Sequence, residues 1–283
     1  MRSWLAQYGM QSAATLDDAL RVMSREPGHW TPFAGGTDIM VLLEAGKQPK
    51  RNFLNIWGIP ELRAISHSPD SIRIGALATY TDLLADGVIQ SEFPLLCAAA
   101  RETGALAIQN RGTIGGNIAN ASPAADVPPA LLVYDATLEL ASSRGQRWVE
   151  YAGFHTGYKQ MDLAPDELIV GVSLPRGRSD WKQTYRKVGT RRAQAISKIC
   201  FAAAAEITDG SVRDVRIALG SVAPTVIRAT AAEAALRGQP LGPETIRSAR
   251  AALVQDISPI DDIRSTAAYR QLVAGNLLEG FLS

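Results

Sequence analysis

The spacing of apolar and polar residues predicts a chain that mixes helices and strands. Apolar residues recur at helical spacing in five segments, which predicts helices at 16–24, 93–103, 231–236, 243–254 and 267–282. Short apolar or alternating runs between turn residues predict strands at 52–56, 71–77, 136–141, 167–174, 181–188, 196–207 and 215–219. Several of these strands are joined by short turns typical of hairpins. The pattern therefore favours an α+β fold over a doubly wound parallel sheet.

A polar, turn-rich segment divides this pattern into two parts. Residues 175–180 read PRGRSD and follow the last strand of the first part. A small antiparallel sheet and then mainly helices are predicted beyond them. Because domain boundaries fall in exposed polar linkers, we predict two domains, residues 1–175 and residues 176–283.

Composition and charge indicate which kinds of binding partner are disfavoured for this chain. The chain has 283 residues, of which 46% are hydrophobic, and a formal net charge of +1. A balanced charge spread along the chain argues against a nucleic acid or a membrane surface as partner. The sequence has no apolar run of signal-peptide or membrane-span length, so a cytoplasmic location without a membrane span is expected.

The cysteines and histidines give no pattern of metal ligands. Cys97 and Cys200 are far apart in apolar segments, and we predict that both are buried free thiols. Two cysteines cannot ligate a four-cysteine iron–sulfur cluster. The spacing of His29, His67 and His155 matches no metal-binding motif, so no metal site is predicted in this chain.

The stretch at 109–130, QNRGTIGGNIANASPAADVPPA, is the first that specifies chemistry. Its glycines, Gly112, Gly115 and Gly116, would let backbone N–H groups approach an anion closely. No Lys follows them, which excludes a Walker loop, and the Asn, Ser and Pro residues argue against a helix of the Rossmann type. The stretch is predicted to form neither an amphipathic helix nor a strand.

A second glycine pair, Gly35-Gly36, lies upstream and is followed by Thr37 or Asp38 as a candidate cap of a short helix at 39–44. One such pair is common at strand-to-helix junctions that bind no ligand. Two pairs without Lys in one chain favour a dinucleotide that is held from two sides.

Three motifs together resemble the FAD-binding subunit of the molybdenum hydroxylases, a family that includes xanthine dehydrogenase and carbon monoxide dehydrogenase. They are AGGTD at 34–38, IRIGALATYTDL at 72–83 and RGTIGGNIANASPAAD at 111–126. The resemblance implies a two-subdomain FAD-binding fold of the p-cresol methylhydroxylase type. A smaller α+β domain, similar to the C-terminal domain of carbon monoxide dehydrogenase flavoproteins, would follow it.

The same resemblance implies a heterotrimeric oxidoreductase in which this chain carries FAD. A molybdopterin-binding subunit would oxidise the substrate, and [2Fe–2S] clusters on an iron–sulfur subunit would relay electrons to the FAD. NAD⁺, oxygen or another acceptor would then receive them. Some family members have an aromatic residue over the flavin just before the second glycine pair, whereas residues 102–105 here read ETGA, which leaves the acceptor open.

The resemblance also implies the FAD-binding residues, and it gives no residue of this chain a catalytic or metal-binding role. Asp126 would accept hydrogen bonds from sugar hydroxyls, Lys187 would lie near the pyrimidine end of the flavin, and Ile169 would lie against the ring or simply in the core. The residues expected to hold the diphosphate are Pro32, Phe33, Ala34, Gly35, Gly36, Thr37, Asp38, Ile39, Thr113, Ile114, Gly115, Gly116 and Asn117.

Two alternatives stay open from the sequence. The first is an independent flavin-dependent oxidoreductase of the same fold, which would need its own proton donor near the flavin, with Ser173 or Tyr185 as candidates. The second is a non-redox module that uses the glycine loops for another phosphate ligand.

Overall fold

The N-terminal part is a small parallel sheet crossed by two helices. The computed structural model describes residues 7–191 and 194–283. Strands β1 (Gly9–Ser12), β2 (Thr31–Phe33) and β3 (Asn52–Asn55) pair in the order β1-β3-β2, and both pairings are parallel. Helix α1 (Leu16–Arg25) joins β1 to β2, and α2 (Ile39–Glu44) joins β2 to β3. The strands are parallel because each crossover helix returns the chain to the same end of the sheet.

A five-stranded antiparallel sheet follows a single 3₁₀ turn at Pro60–Leu62 and forms the centre of the first part of the molecule. Its strand order is β4-β5-β8-β6-β7. The strands are β4 (Ile65–His67), β5 (Ser71–Gly75), β6 (Thr137–Ser142), β7 (Gly145–Glu150) and β8 (Leu168–Pro175).

Short helices connect β5 to β6 and cover one face of this sheet. Several begin at strong start signals: Thr79 and Asp82 form a capping box at the first, and the Asp86 carboxylate accepts from two backbone amides at the second. Closely spaced start signals divide the connection into many short helices. They are α3 (Tyr80–Ala85), α4 (Gly87–Glu92), α5 (Pro94–Glu102), α6 (Leu106–Gln109), α7 (Ile114–Ala119) and α8 (Pro128–Val133).

The C-terminal part is a four-stranded antiparallel sheet with three helices. Its strands pair in the order β12-β11-β10-β9 and are β9 (Lys182–Val188), β10 (Ile199–Thr208), β11 (Ser211–Gly220) and β12 (Ile227–Arg228). The helices are α9 (Thr230–Leu236), α10 (Pro243–Asp256) and α11 (Ala267–Leu282).

Strand β10 lies between two hydrophobic cores. Ala202 and Ala204 belong to the central core, whereas Ala203 and Ala205 belong to the C-terminal core, and all four are fully buried. Successive side chains of a strand point to opposite faces, and the small alanines let both layers approach closely. The C-terminal sheet is therefore packed directly against the first part of the molecule.

The observed elements confirm the α+β fold class. The stretch at 109–130, for which neither an amphipathic helix nor a strand is predicted, contains the short helix α7 at Ile114–Ala119 and the start of α8 at Pro128. The division into two domains near residue 175 stays a prediction, although β8 ends one sheet there and β9 begins another at Lys182. Within 7–191 and 194–283, no helix is long and apolar enough to cross a membrane.

Candidate functional site

The segment that holds the first glycine pair contacts residues that flank the second pair. We call residues 32–39 the first glycine loop and residues 113–117 the second glycine loop. A Cβ atom at Gly35 would lie only 1.6 Å from the carbonyl oxygen of Arg111, two residues before the second loop, so the contact requires glycine. The Arg111 Nε donates to the Gly35 carbonyl at 3.4 Å. The Asn120 amide, just after α7, donates to an Asp38 carboxylate oxygen at 3.4 Å.

The second glycine loop is the first turn of a capped helix. The Thr113 hydroxyl accepts from the Gly116 amide at 3.1 Å, as an N-cap residue does. The Ile114 and Gly115 amides donate to the carbonyls of residues 78 and 76, and the Asn117 amide donates to the Thr113 carbonyl. All four amides of 114–117 thus have acceptors within the chain, and a contact of this loop with the diphosphate stays a prediction.

The first glycine loop has the opposite character. Pro32 and Phe33 end strand β2, Ile39 begins helix α2, and residues 34–38 connect them. Among the described residues, no acceptor receives the backbone N–H groups of 35–39. Gly36 has a φ of +75°, a left-handed conformation that lets neighbouring amides point to one place. These amides are the donors with which an anion could bind.

Asp38 stands at the N-cap position of α2, but its side chain makes no cap hydrogen bond. Its carboxylate instead faces Asn120, as described above. The candidate cap at Thr37 also makes none. The Thr37 and Asp38 side chains therefore do not cap helix α2 and can form hydrogen bonds with groups outside this loop.

Among the described residues, one buried acceptor in the second loop and one beyond it have no hydrogen-bond partner. They are the Asn117 Oδ1 and the Asp126 Oδ1. An unsatisfied buried polar atom costs about 1–3 kcal/mol, and a bound molecule with hydroxyl or N–H donors would remove that cost. FAD fits this arrangement, because its diphosphate needs amide donors and its sugar hydroxyls need acceptors. The donor-rich first loop and these acceptors supply both.

Asp126 also forms a buried ion pair. The Lys187 Nζ donates to the Asp126 Oδ2 and to the Glu102 carbonyl, each at 2.8 Å. The Lys187 side chain is only 5% exposed, so this ammonium is not a solvated surface charge. Burial raises the pKa of the Asp126 carboxyl to about 6, although Lys187 opposes the shift. Lys187 lies on β9 and therefore brings the C-terminal sheet into the site.

The backbone of Asp126 is fixed by the C-terminal sheet as well. The Tyr185 hydroxyl donates to the Asp126 carbonyl at 3.1 Å, and the Cys200 thiol approaches the same oxygen at 3.6 Å. Burial raises the pKa of both groups, which keeps the hydroxyl and the thiol in their protonated, donating forms. Cys97 and Cys200 are both free and buried.

Ile169 lies on β8 and is 7% exposed, packed in the central core near α7. The structure does not separate its two expected roles, and contact with the flavin ring stays a prediction. The sequence reasoning missed Lys159, whose Nζ donates to the Asn120 carbonyl at 2.7 Å and also to the Asn120 side-chain oxygen. It missed Trp57 too, which has the Arg111 guanidinium 4.0 Å from its ring centroid and that of Arg63 at 4.5 Å. No local motif marks either residue.

A cavity of about 260 Å³ is lined by none of the predicted site residues. Its walls include Tyr151, His155, Thr225 and Arg228. Across 7–191 and 194–283, no group of three or more His, Cys, Asp or Glu residues is placed to hold a metal ion.

The fold and the paired loops fit an FAD-binding protein, and comparison with known proteins gives the family. Residues 6–177 match the family model described as the FAD binding domain in molybdopterin dehydrogenase. Residues 183–283 match the CO dehydrogenase flavoprotein C-terminal domain.

Individual relatives agree with both models. The chain is 36% identical over 260 residues to the xanthine dehydrogenase FAD-binding subunit of Escherichia coli O157:H7, covering 91% of this chain and 89% of the relative. It is 30% identical to the glyceraldehyde dehydrogenase medium chain of Sulfolobus acidocaldarius, over 94% of each chain. A solved structure of carbon monoxide dehydrogenase from Hydrogenophaga pseudoflava matches with a TM-score of 0.93 and 29% identity, covering 97% of this chain and 95% of that one.

The chain therefore belongs to the family of FAD-binding subunits of molybdenum hydroxylases, as its motifs implied. These are oxidoreductases, and this chain type is the medium, FAD-binding subunit of multi-subunit molybdenum hydroxylase complexes.

Proposed function

We propose that this chain is the electron-relay subunit of its complex. Electrons would arrive from [2Fe–2S] clusters of the iron–sulfur subunit and leave to NAD⁺, oxygen or another acceptor. Bound FAD supplies the chemistry, because its ring system can accept and release one or two electrons. The residues of this chain bind and orient that cofactor. The cytoplasmic location expected from the sequence stays a prediction.

One observation carries the proposal: the unused amides of 35–39 lie in a loop that contacts the residues flanking the second loop, and the unpartnered acceptors of Asn117 and Asp126 lie in and after that second loop. A molecule with an anionic centre and hydroxyl groups matches these donors and acceptors. We infer that the first glycine loop holds the diphosphate and that Asp126 receives sugar hydroxyls. Gly115 and Gly116 would serve mainly to place helix α7.

Lys187 is proposed to set the charge beside the flavin. Its ammonium is fixed by Asp126 and by the Glu102 carbonyl, so it would stay in place when the cofactor changes its charge. A fixed positive charge stabilises negative charge on a nearby reduced ring. Ile169 is proposed to lie against that ring from β8.

The independent flavoenzyme is less well supported. It requires a free proton donor near the flavin, but the Tyr185 hydroxyl is already hydrogen-bonded to the Asp126 carbonyl and lies 2.9 Å from the Cys200 thiol. The non-redox module is disfavoured because the relatives of this chain are dehydrogenase subunits.

The test is to purify the chain with whatever accompanies it and to analyse the content. FAD, iron, molybdenum and two further polypeptides are expected, and the flavin absorbance should bleach when the substrate of the complex is added without an acceptor. A solitary flavoprotein that turns over its own substrate would overturn the relay function. A colourless preparation that takes up no added FAD would overturn the site.

A further inference from the structure

We propose that Lys159 is a positioning residue of the flavin site, which ties the end of helix α7 to the first glycine loop. This inference rests on the proposed FAD site and deepens it. Lys159 belongs to none of the family motifs that identify the site in the sequence. Its ammonium contacts Asn120 just after helix α7, and Asn120 in turn contacts Asp38 of the first glycine loop.

The position of Lys159 is fixed by a tight turn. The Gln160 amide donates to the Gly157 carbonyl at 3.0 Å, and the Thr156 amide donates to the Gln160 carbonyl at 3.2 Å. Lys159 itself has a φ of +57°, which costs free energy for a residue with a side chain. A strained, hydrogen-bonded turn places its side chain in one direction.

The turn reaches the C-terminal end of α7 at two points. His155 Nε2 lies 2.9 Å from the Ile118 carbonyl, and Lys159 Nζ lies 2.7 Å from the Asn120 carbonyl. The last carbonyls of a helix lack partners within it and attract positive charge. The ammonium therefore holds the end of this helix, whose first turn is the second glycine loop.

A chain of contacts continues from there to the first loop. Lys159 also donates to the Asn120 side-chain oxygen, and the Asn120 nitrogen donates to Asp38 at 3.4 Å. Burial lowers the pKa of the Lys159 ammonium, and the negative charge of Asp38 opposes that shift. Asp38 lies within the run of free amides, so the ammonium, the amide and the carboxylate together set how far apart the two loops lie.

The first loop has few other anchors. No residue of α2, the helix that follows it, is buried. Loss of the Lys159 contacts would let this loop move away from the second one, and a cofactor held between them would leave faster.

The experiment compares four proteins, each purified as the FAD-containing complex, by the rise in flavin fluorescence as FAD dissociates. Lys159→Met removes the ammonium and keeps the stem, and Lys159→Arg keeps the charge. Lys182→Met is the control, because the Lys182 ammonium contacts the Ser283 carbonyl and the Phe281 ring at the C-terminal end of α11. Hydrogen bonds from charged donors are strong enough that Lys159→Met should speed dissociation about tenfold. Lys159→Arg should stay within about threefold of the wild type, and Lys182→Met should match it.

A second substitution separates a tie between loops from a simple helix cap. If Lys159 acts through Asn120, the pair Lys159→Met with Asn120→Ala should release FAD no more than about threefold faster than Lys159→Met alone. The inference is wrong if adding Asn120→Ala speeds FAD release by much more than threefold over Lys159→Met. It is also wrong if Lys159→Met releases FAD at the wild-type rate. A lower thermal midpoint of the flavin-free Lys159→Met protein with unchanged FAD release would overturn it as well. A wild-type complex that retains no FAD would instead overturn the proposed site itself.

Discussion

The first and second glycine loops look alike in sequence but differ in what they leave free. The second loop is held by the rest of the chain: Thr113, Ile114 and Gly115 are buried, and every amide of 114–117 has an acceptor. The first loop is half-buried or exposed throughout, its following helix buries nothing, and the amides of 35–39 have no acceptor within the described residues.

The comparison teaches that a glycine pair can serve two physical purposes. In the second loop, Gly115 makes room for a neighbour, because a Cβ there would lie 2.6 Å from the Ala76 Cβ. In the first loop, Gly36 permits a positive φ that turns amides outward. The buried loop is a fixed platform with acceptors beside it, whereas the exposed loop offers donors and depends on the platform for its position.

The largest expected effect tests how much the C-terminal sheet, through Lys187, stabilises the region around the second glycine loop. Lys187→Met would leave the Asp126 carboxyl buried without its cation, and breaking a buried pair costs about 3–5 kcal/mol. Urea unfolding of the flavin-free protein should show this loss, and adding Asp126→Asn should restore part of it. Asp38→Asn in the first loop is the matched control and should change the free energy of unfolding by less than about 0.5 kcal/mol. If Lys187→Met and Asp38→Asn lower the free energy of unfolding equally, the contrast between a fixed second loop and an exposed first loop is wrong.

The next effect tests the contact where the loops meet. Gly35→Ala would place a Cβ 1.6 Å from the Arg111 carbonyl oxygen, so the loops must separate. We expect FAD affinity to fall about 100-fold, equivalent to roughly 2.7 kcal/mol, in a fluorescence titration. Gly58→Ala is the control, since a Cβ there would meet nothing within 4 Å. Unchanged FAD affinity in Gly35→Ala would mean that the cofactor does not need this junction.

A smaller effect should appear as pH falls. The pKa of Asp126 is raised from 3.8 to about 6, so the folded protein takes up a proton there that the unfolded chain does not yet hold. On account of this group, the flavin-free protein gains stability as pH falls from about 6 towards 4. The affinity for FAD should instead fall as pH falls, because sugar hydroxyls donate better to the ionised Asp126 carboxylate.

If only the ionised form binds well, FAD affinity should fall about tenfold between about pH 7 and about pH 5. Titrations of the wild type and of Asp126→Asn across that range would measure it. The Asn variant should bind more weakly at the higher pH and show little dependence on pH. A wild-type affinity that does not change would place Asp126 outside the cofactor contacts.

The smallest effect compares the two helix caps. Thr113→Ala removes a hydroxyl that accepts from the Gly116 amide and should lower the unfolding free energy by about 1 kcal/mol. Asp38→Ala should cost less, because the Asp38 side chain makes no cap hydrogen bond. Thermal unfolding of both flavin-free variants would rank them. A larger loss of stability for Asp38→Ala would mean that the first loop, and not the second, is the one fixed by its helix cap.

Sequence reasoning was most successful where the signal is local. Helix α11 occupies Ala267–Leu282, the segment that apolar spacing predicts, and α1 at Leu16–Arg25 matches the helix predicted at 16–24. Sequence reasoning did not predict α7. The many Asn, Ser and Pro residues after Asn117 argue against a long helix, but they do not exclude a short one capped by Thr113. Sequence reasoning also gave no sign that the N-terminal sheet is parallel, since strand direction depends on crossover geometry rather than on any one residue.

The amino-acid sequence by itself determined the α+β class, the family and the two glycine-bearing motifs, because caps, turns and close backbone approaches require particular residues at short spacing. Only the tertiary structure decided which amides stay free and which acceptors lack partners. It also decided that Lys187 on β9 reaches Asp126, and that Lys159 reaches Asn120. Those pairings join residues far apart in the chain, and they are set by how three sheets and their helices pack rather than by any local pattern.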